Sequence, residues 1–156
     1  MYTLDLIKSI RKQFEELVST STLEELNTIP KGFNNNIAWN YGHIVVSGYG
    51  LTFVSTGVNP SANNNPLVAK FRKGSKPEGP VTQQEMDAIK ELAANYPVAL
   101  EESIKEDKFQ NITPYTSQTF GIPMTTLDSV LTTIASHDML HFQTAKMYKR
   151  ILNTQS

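Results

Sequence analysis

The stretch 127-LDSVLTTIASHDMLHFQTAKMYKRIL-152 decides the fold class of this chain. Apolar and histidine side chains recur along it in steps of three and four residues, which is the period of an α-helix that buries one face. This row consists of Leu127, Val130, Ile134, His137, His141, Ala145, Tyr148 and Leu152. Thr125 and Asp128 give a capping signal, so the stretch predicts a helix that ends near Asn153 and carries two histidines on its inward face.

Two more long helices are predicted in the first third of the chain. One spans Thr3–Ser19, with apolar side chains at helical spacing and charges on the opposite face. The other begins after the asparagine run at 34–36, which offers capping side chains, and ends at Gly57. No Asp, Glu, Lys or Arg occurs from 32 to 69. We expect that a bundle alone does not cover so uncharged a helix, and that part of it forms a homodimer interface.

Shorter elements are predicted between the long helices. Ser21 and Glu24 resemble a capping box that opens a short helix through Asn27. The segment Pro66–Arg72 is expected to form a turn of helix over the end of the bundle. After the third long helix the chain predicts a loop, with a short extended piece near Tyr115 that need not be a strand.

A further long helix lies in the middle of the chain. A capping box at Thr82 and Glu85 opens it, and Pro97 is expected to kink or split it because proline lacks the N–H of the helical ladder. Its apolar row is Met86, Ile89, Ala93, Tyr96, Leu100 and Ile104. The connection before it, residues 58–81, is long enough to cross the bundle. Four long helices without a convincing strand predict an all-α four-helix bundle, as a single domain over residues 1–156.

Composition excludes several classes of function. A net charge of −1 and a pI near 6.3 give no basic patch for nucleic acid or an anionic membrane. Without cysteine the chain has no disulfide, thiolate ligand or cysteine nucleophile. Asp5 and Lys8 interrupt the apolar run that a signal peptide needs, so we expect a cytoplasmic protein. Residues 37–58 are long enough to span a bilayer, but their polar side chains favour a helix buried in protein.

The only three histidines are candidate metal ligands. His137 and His141 are four residues apart on a helix, about 6 Å in rise, so both rings can reach one ion. A catalytic Zn²⁺ site takes three protein ligands and keeps one open position, and His43 is the histidine that remains. His43 lies in the uncharged run AWNYGHIVV, where a neutral ring is tolerated and a solvated charge is not. The alternative is that these are core histidines held by hydrogen bonds, which is the commoner role of a single buried histidine.

Other polar and aromatic residues near the histidines are possible site residues. Asp138 makes the run HDMLH similar to the zincin signature H-E-x-x-H, in which the glutamate is the general base of peptide hydrolysis. Its side chain is one methylene shorter than glutamate, which disfavours protease activity. We therefore expect an exposed helix charge or a hydrogen bond to a ligand ring. Asn40 and Ser47 lie three and four residues from His43 and could orient substrate, although packing hydrogen bonds are the favoured interpretation. Trp39 and Tyr148 could wall a cavity, and aromatic residues at helical spacing are usually core. No catalytic residue is predicted.

The two histidine segments together resemble the DinB/YfiT-like superfamily. The resemblance is carried by W-x-x-x-H at Trp39 to His43 and by H-D-x-L-H at His137 to His141, with helix order and the long crossover in agreement. It implies an up-down-down-up bundle, often dimeric, in which His43, His137 and His141 hold a divalent metal ion. Characterised members of that superfamily include metal-dependent thiol S-transferases and a mycothiol-dependent maleylpyruvate isomerase.

The functional expectation is therefore a divalent-metal-binding protein that acts as a hydrolase or thiol S-transferase on a small molecule. A low-molecular-weight thiol would bring the nucleophile that a chain without cysteine lacks. Zinc or nickel is expected first, although three imidazoles also suit copper or iron. The alternatives are a non-catalytic metal- or ligand-binding bundle, in which a fourth protein ligand closes the site, and a purely structural helical module.

Overall fold

The structure, a computed structural model, describes residues 1–155, so Ser156 of the predicted domain lies outside the described residues. The helices are α1 (Tyr2–Ser19), α2 (Leu23–Asn27), α3 (Ile37–Tyr49), α4 (Leu67–Phe71), α5 (Gln83–Lys105) and α6 (Leu127–Gln155), with a π-helical turn at Gly50–Val54 after α3. Two short strands, β1 (Tyr115–Thr116) and β2 (Pro123–Met124), pair antiparallel. The predicted all-α class is confirmed. Within the described range, no helix has the length and apolar character needed to cross a membrane.

The core lies where α3 meets the other long helices. α1 packs along α6, while α3 packs against both α6 and α5. Large side chains that are fully buried come from all of these helices and include Phe14, Tyr41, Ile44, Met86, Tyr96 and Leu100. The apolar rows predicted for α1 and α5 are thus the rows that face the core.

Helix α6 is buried along two rows, whereas the sequence predicted one. The predicted row, which contains His137, faces α3. A second row of Leu131, Ala135, Asp138 and Phe142 is also buried. It faces α1, where Phe142 packs on Phe14 with ring centroids 5.4 Å apart. A helix that contacts two neighbours has to bury two adjacent rows, and this second row brings an aspartate into the core.

Two of the predicted helix starts are confirmed by their caps. The Asn36 side chain accepts a hydrogen bond from Trp39 N (2.8 Å) and begins α3. At α5, Thr82 and Glu85 form the predicted reciprocal capping box. These side chains satisfy backbone N–H groups that have no partner inside the helix.

Two other caps lie one residue later than predicted. The capping box of α2 is formed by Thr22 with Glu25, because the hydroxyl of Ser21 already donates to Leu17 O at the end of α1 (2.8 Å). At α6 the cap is Thr126, whose Oγ1 accepts from Ser129 N at 3.2 Å. The predictions based on Ser21 and Glu24 and on Thr125 and Asp128 were therefore wrong by one position.

The predicted helix ending at Gly57 changes its winding before that residue. Its α-helical part ends at Tyr49, and a π-helical turn continues it through Val54. Gly57 has φ +75°, the left-handed conformation that ends the turn. The predicted helical turn within Pro66–Arg72 is confirmed as α4. Pro97 lies inside α5 without splitting it.

Two features near α3 bear on the sequence predictions. Every residue of 37–46 is buried by the chain itself, so the uncharged surface that remains for a homodimer interface lies after that run, where Val54 is exposed. The extended piece near Tyr115 is a strand, paired to Met124 in β2, although no convincing strand was predicted. The pairing closes residues 115–124 into a small hairpin beside α6.

Candidate metal centre

The three predicted histidines meet between α3 and α6. His43 projects from α3, and His137 and His141 project from adjacent turns of α6. One ring nitrogen from each residue lies within 4.8 Å of the corresponding nitrogens of the other two. The Nε2 atoms of His43 and His137 are 3.2 Å apart. His43 and His137 are only 4% and 5% exposed, and His141 is half-buried.

The spacing of two of these nitrogens fits a shared metal ion. Two imidazole nitrogens bound at about 2.0 to 2.1 Å in a tetrahedral site are about 3.3 Å from each other. The separation of 3.2 Å between His43 and His137 is close to that value. Three neutral imidazoles are also a suitable donor set for a divalent transition metal.

A backbone carbonyl orients His43. The ring's Nδ1 lies 2.7 Å from Phe71 O at the end of α4, and a carbonyl oxygen only accepts hydrogen bonds. The proton therefore resides on Nδ1, which leaves the lone pair of Nε2 directed toward His137. The Trp39 ring stacks on the His43 ring, with centroids 4.7 Å apart and an interplanar angle of 9°. Trp39 therefore holds a candidate ligand ring in place from the side.

An asparagine orients His141 in the same way. The Asn40 amide nitrogen donates to Asn36 O (2.8 Å) and to Asn35 Oδ1 (3.1 Å), so its Oδ1 must be the atom that faces His141. Oδ1 accepts from His141 Nδ1 at 2.8 Å, which leaves Nε2 as the unprotonated nitrogen. Asn40 thus positions a ring of the cluster. Tyr148, which was considered as a cavity wall, instead donates from its hydroxyl to Asn35 Oδ1 (2.8 Å) and secures this network.

An ion pair that the sequence did not predict lies behind His137. Asp138 is 1% exposed, so of its two predicted roles the exposed helix charge was wrong, and the contact with a ligand ring remains. Its Oδ2 accepts from Arg11 Nε of α1 at 2.7 Å, and its Oδ1 lies 3.7 Å from His137 Nδ1. Among the described residues, neither Asp138 Oδ1 nor Arg11 Nη1 has a hydrogen-bond partner. A small rotation of the carboxylate would therefore give His137 Nδ1 an acceptor.

Arg11 was missed because a charged residue was assigned to the solvent face of α1. It is 7% exposed, donates from Nη2 to Ile44 O (2.9 Å), and lies over the Tyr96 ring with Cζ 4.0 Å from the centroid. One signal was present in the sequence. Arg11 stands between Ile7 and Phe14 at steps of four and three, within the apolar row itself.

Burial keeps two of the rings neutral. Burial chiefly lowers the pKa of His43 to about 4, with a contribution from repulsion by His137, against the hydrogen bond to Phe71 O, which raises it. Burial also lowers the pKa of His141 to about 3, together with repulsion from His43 and His137. Both rings are therefore neutral near pH 7, each with one unprotonated nitrogen, which is the form that binds a metal ion.

A cavity of about 260 Å³ opens beside the cluster. His43 and His137 contribute to one of its walls, and the hairpin residues 115–120 form another. Ser47 also lines it, with its Oγ 3.4 Å from His43 Nε2. Neither Trp39 nor Tyr148 lines this cavity. Small molecules entering it would meet the two most buried histidines.

A comparison with protein families is consistent with this geometry. A family model described as the DinB superfamily matches residues 6–145, a range that contains all three histidines. No curated protein matches the chain.

Proposed function

The chain belongs to the DinB superfamily, and from this premise we propose that it binds one divalent metal ion through His43, His137 and His141. We further propose that it acts on a small molecule as a metal-dependent thiol S-transferase or hydrolase. The observation that carries the proposal is the convergence of three ring nitrogens within 4.8 Å. Superfamily membership and this cluster together fit metal binding.

The chain's own residues would prepare the ligands. Phe71 O and Asn40 Oδ1 hold the protons of His43 and His141 on Nδ1, so the nitrogens facing the site need no deprotonation. Such partners of the distal ring nitrogen fix the tautomer and orientation of metal-binding histidines. Asp138, anchored by Arg11, is placed to do the same for His137.

A cluster of only three protein ligands would leave a bound ion a position for water or substrate, which favours catalysis over a structural role. In the part of the chain that the structure describes, no carboxylate joins the histidine cluster, and Asp138 is held by Arg11. A bound divalent ion would supply Lewis acidity that lowers the pKa of a water or thiol in that position. The hydroxyl of Ser47, on the cavity wall next to His43, is placed to hydrogen-bond a reacting group.

The reaction would be a substitution at an electrophilic carbon or acyl group. In transfer, the sulfur of the thiol forms the new bond, its proton is released to solvent, and the leaving group departs with the bonding electron pair. In hydrolysis, the oxygen of a water molecule takes the place of the sulfur. The thiol has to be a cosubstrate because the chain contains no cysteine.

Further properties belong to the same proposal. We propose an up-down-down-up four-helix bundle as one domain of a cytoplasmic protein, with zinc or nickel as the metal. The packing of α1 on α6 and of α3 on α5 and α6 supports the bundle. A homodimer is retained on the family resemblance alone, since α3 is covered within the chain. Sedimentation at micromolar concentration tests it, and a mass of 17.4 kDa would contradict it.

Elemental analysis of purified protein tests the metal site. We expect one equivalent in the wild type and its loss in each of His43→Ala, His137→Ala and His141→Ala. Thr133→Val is a matched control, because Thr133 lies buried in α6 one turn before His137 and offers no ring nitrogen. Retention of metal by all three histidine variants, or absence of metal from the wild type after loading, would overturn the proposal.

Assays for turnover test the reaction. The metal-loaded protein is incubated with several bacterial thiols and a chlorinated aromatic acceptor, and with ester substrates in the absence of thiol. Thiol-dependent product supports transfer, and thiol-independent product supports hydrolysis. Full metal occupancy with neither product would favour the non-catalytic binding protein.

A further inference from the structure

Two exposed cations stand next to each other on the wall of the cavity beside the histidines. Arg72 and Lys73, which follow α4, both line it. We propose that this cavity binds a small organic anion whose carboxylate or phosphate group is received by Arg72 and Lys73. The proposal rests on the proposed function in one respect, namely that the reacting end of the same molecule faces His43 and His137.

Charge supports an anionic ligand. Among the described residues that line the cavity there is no aspartate or glutamate. Neither Arg72 nor Lys73 has an ion-pair partner within residues 1–155, whereas Lys70 on the same segment pairs with Glu85 at 2.7 Å. Two adjacent cations without a compensating carboxylate create a positive potential in the part of the cavity that they line. Guanidinium and ammonium groups bind carboxylate and phosphate through charge-assisted hydrogen bonds.

The segment that carries the cations is fixed relative to the metal centre. Phe71 O accepts from His43 Nδ1, and Arg72 is the next residue. Ser75 Oγ accepts from Trp39 Nε1 at 3.0 Å, and Trp39 stacks on His43. The run from 72 to 75 is thus held at both ends. Phe71, just before it, bonds His43, and Ser75, its last residue, bonds Trp39. The backbone that carries the two cations is therefore held in a fixed position beside the histidine cluster.

The shape and remaining surface of the cavity restrict the ligand further. Its volume of about 260 Å³ is below the roughly 300 Å³ at which pockets for drug-sized ligands begin, which indicates a small molecule. Leu51 and Phe120 line the cavity as well, so it can accommodate an apolar part of the ligand. The ligand class is therefore a compact organic acid or phosphate ester with an apolar body.

The test is calorimetric titration with benzoate, phenyl phosphate and the neutral analogue benzamide. The protein is first freed of metal by chelation, so that an anion cannot bind through the ion. We expect both anions, or one of them, to bind more tightly than benzamide. The double variant Arg72→Gln/Lys73→Gln should weaken anion binding about tenfold or more, as expected for losing charged hydrogen bonds, and leave benzamide unchanged. A preference between the two anions identifies carboxylate or phosphate as the recognised group.

Matched variants make the outcome decisive. Lys76→Gln removes an exposed cation from the same connection that does not line the cavity, and should leave anion binding unchanged. Lys73→Arg keeps the charge and should keep the binding. Equal affinity of wild type and double variant, equal affinity for benzoate, phenyl phosphate and benzamide, or no anion binding to the wild type would each overturn the proposal.

Metal content separates this proposal from the proposed function. The double variant should retain one equivalent of metal, because neither substituted residue belongs to the histidine cluster. If the wild type binds no metal, the proposed function fails, while the titration of metal-free protein still reports on the cations. If metal binds and the double variant binds anions normally, the anion site fails and the metal centre stands.

Discussion

At the residue scale, the position of one proton on each ring decides whether the histidines can serve as ligands. Phe71 O and Asn40 Oδ1 accept from the Nδ1 atoms of His43 and His141. Carbonyl and amide oxygens only accept, and Asn40 cannot present its nitrogen to His141 instead, because that nitrogen already donates to Asn35 Oδ1 and Asn36 O. The protein thus selects the tautomer that leaves Nε2 free.

Removal of the Asn40 amide should weaken metal binding. In Asn40→Ala the His141 ring loses its acceptor and its fixed orientation, so we expect metal affinity to fall about 10- to 100-fold. Competition with a chromophoric chelator measures this. Asn63→Ala is the control, since Asn63 lines the same cavity but donates to Val46 O and forms no hydrogen bond to a histidine of the cluster. Equal loss of affinity in both variants would argue against a positioning role for Asn40.

The Arg11–Asp138 pair should make a large contribution to stability. Asp138→Asn keeps the volume but leaves the guanidinium of Arg11 buried without a counterion, and breaking such a pair costs about 3 to 5 kcal/mol. Urea denaturation measures the loss. The double variant Arg11→Met/Asp138→Leu leaves no buried charge and should be less destabilised than Asp138→Asn alone. A single variant as stable as the wild type would show that the pair is dispensable.

Acid should destabilise the metal-free protein. The folded pKa values of His43, about 4, and His141, about 3, lie below the unfolded value of 6.5. As pH falls below 6.5 the unfolded chain binds protons that the folded chain does not, so the free energy of unfolding decreases. The decrease approaches about 1.4 kcal/mol per pH unit for each histidine and continues until the folded pKa is reached.

Urea denaturation with chelator between pH 7 and 5 measures this slope before most carboxylates titrate. His141→Asn removes one of the two groups and should give a shallower slope than the wild type. An identical slope in the two proteins would contradict the assignment of His141 as a buried neutral ring.

At the scale of elements, the close approach of α4 to α3 links packing to the site. A Cβ atom on Gly42 would lie 2.6 Å from the Phe71 ring, so only glycine admits this contact. Phe71 also supplies the carbonyl that orients His43. The sequence predicted both helices, but the residue spacing within each contains no information about their mutual distance.

Gly42→Ala should therefore push α4 away from α3. We expect a loss of about 1 to 3 kcal/mol in unfolding free energy, as for other overpacked cores, together with weaker metal binding. Gly79→Ala is the control, because a Cβ atom there meets nothing within 4 Å. Chemical denaturation and chelator competition measure the two effects. Unchanged metal affinity in a destabilised Gly42→Ala protein would show that the packing of α4 on α3 does not control the orientation of His43.

At the scale of the whole molecule, metal binding should couple the two halves of the chain, since His43 and His137 are 94 positions apart. A ligand that binds only the folded state at 100 times its Kd adds about 2.7 kcal/mol to the unfolding free energy. We expect this rise with Zn²⁺ or Ni²⁺, measured by thermal or chemical denaturation. Ca²⁺ is the control, because it prefers oxygen ligands. If the ion raised the unfolding free energy of His137→Gln by the same amount, it would bind at a site other than the histidine cluster.

Several features could be predicted from the sequence because they depend on neighbours along the chain. The period of three and four residues identified the long helices and placed His137 and His141 on one face of α6. The asparagine run at 34–36 predicted a cap at one of its three positions, and the structure selects Asn36. The caps of α2 and α6 were missed by one residue because Ser, Thr, Asp and Glu occur at several adjacent positions there, and only the backbone selects among them.

Residue type and local period were sufficient to predict the helical class, the candidate ligands and the absence of an internal thiol. Tertiary structure alone decided that Arg11 meets Asp138, that Phe71 O orients His43, and that the run after α4 brings two cations to the histidine cavity. Those contacts join residues that are distant in the chain, and helix packing sets their distances. The same packing covered α3 within the chain and brought a charged residue of α1 into the core.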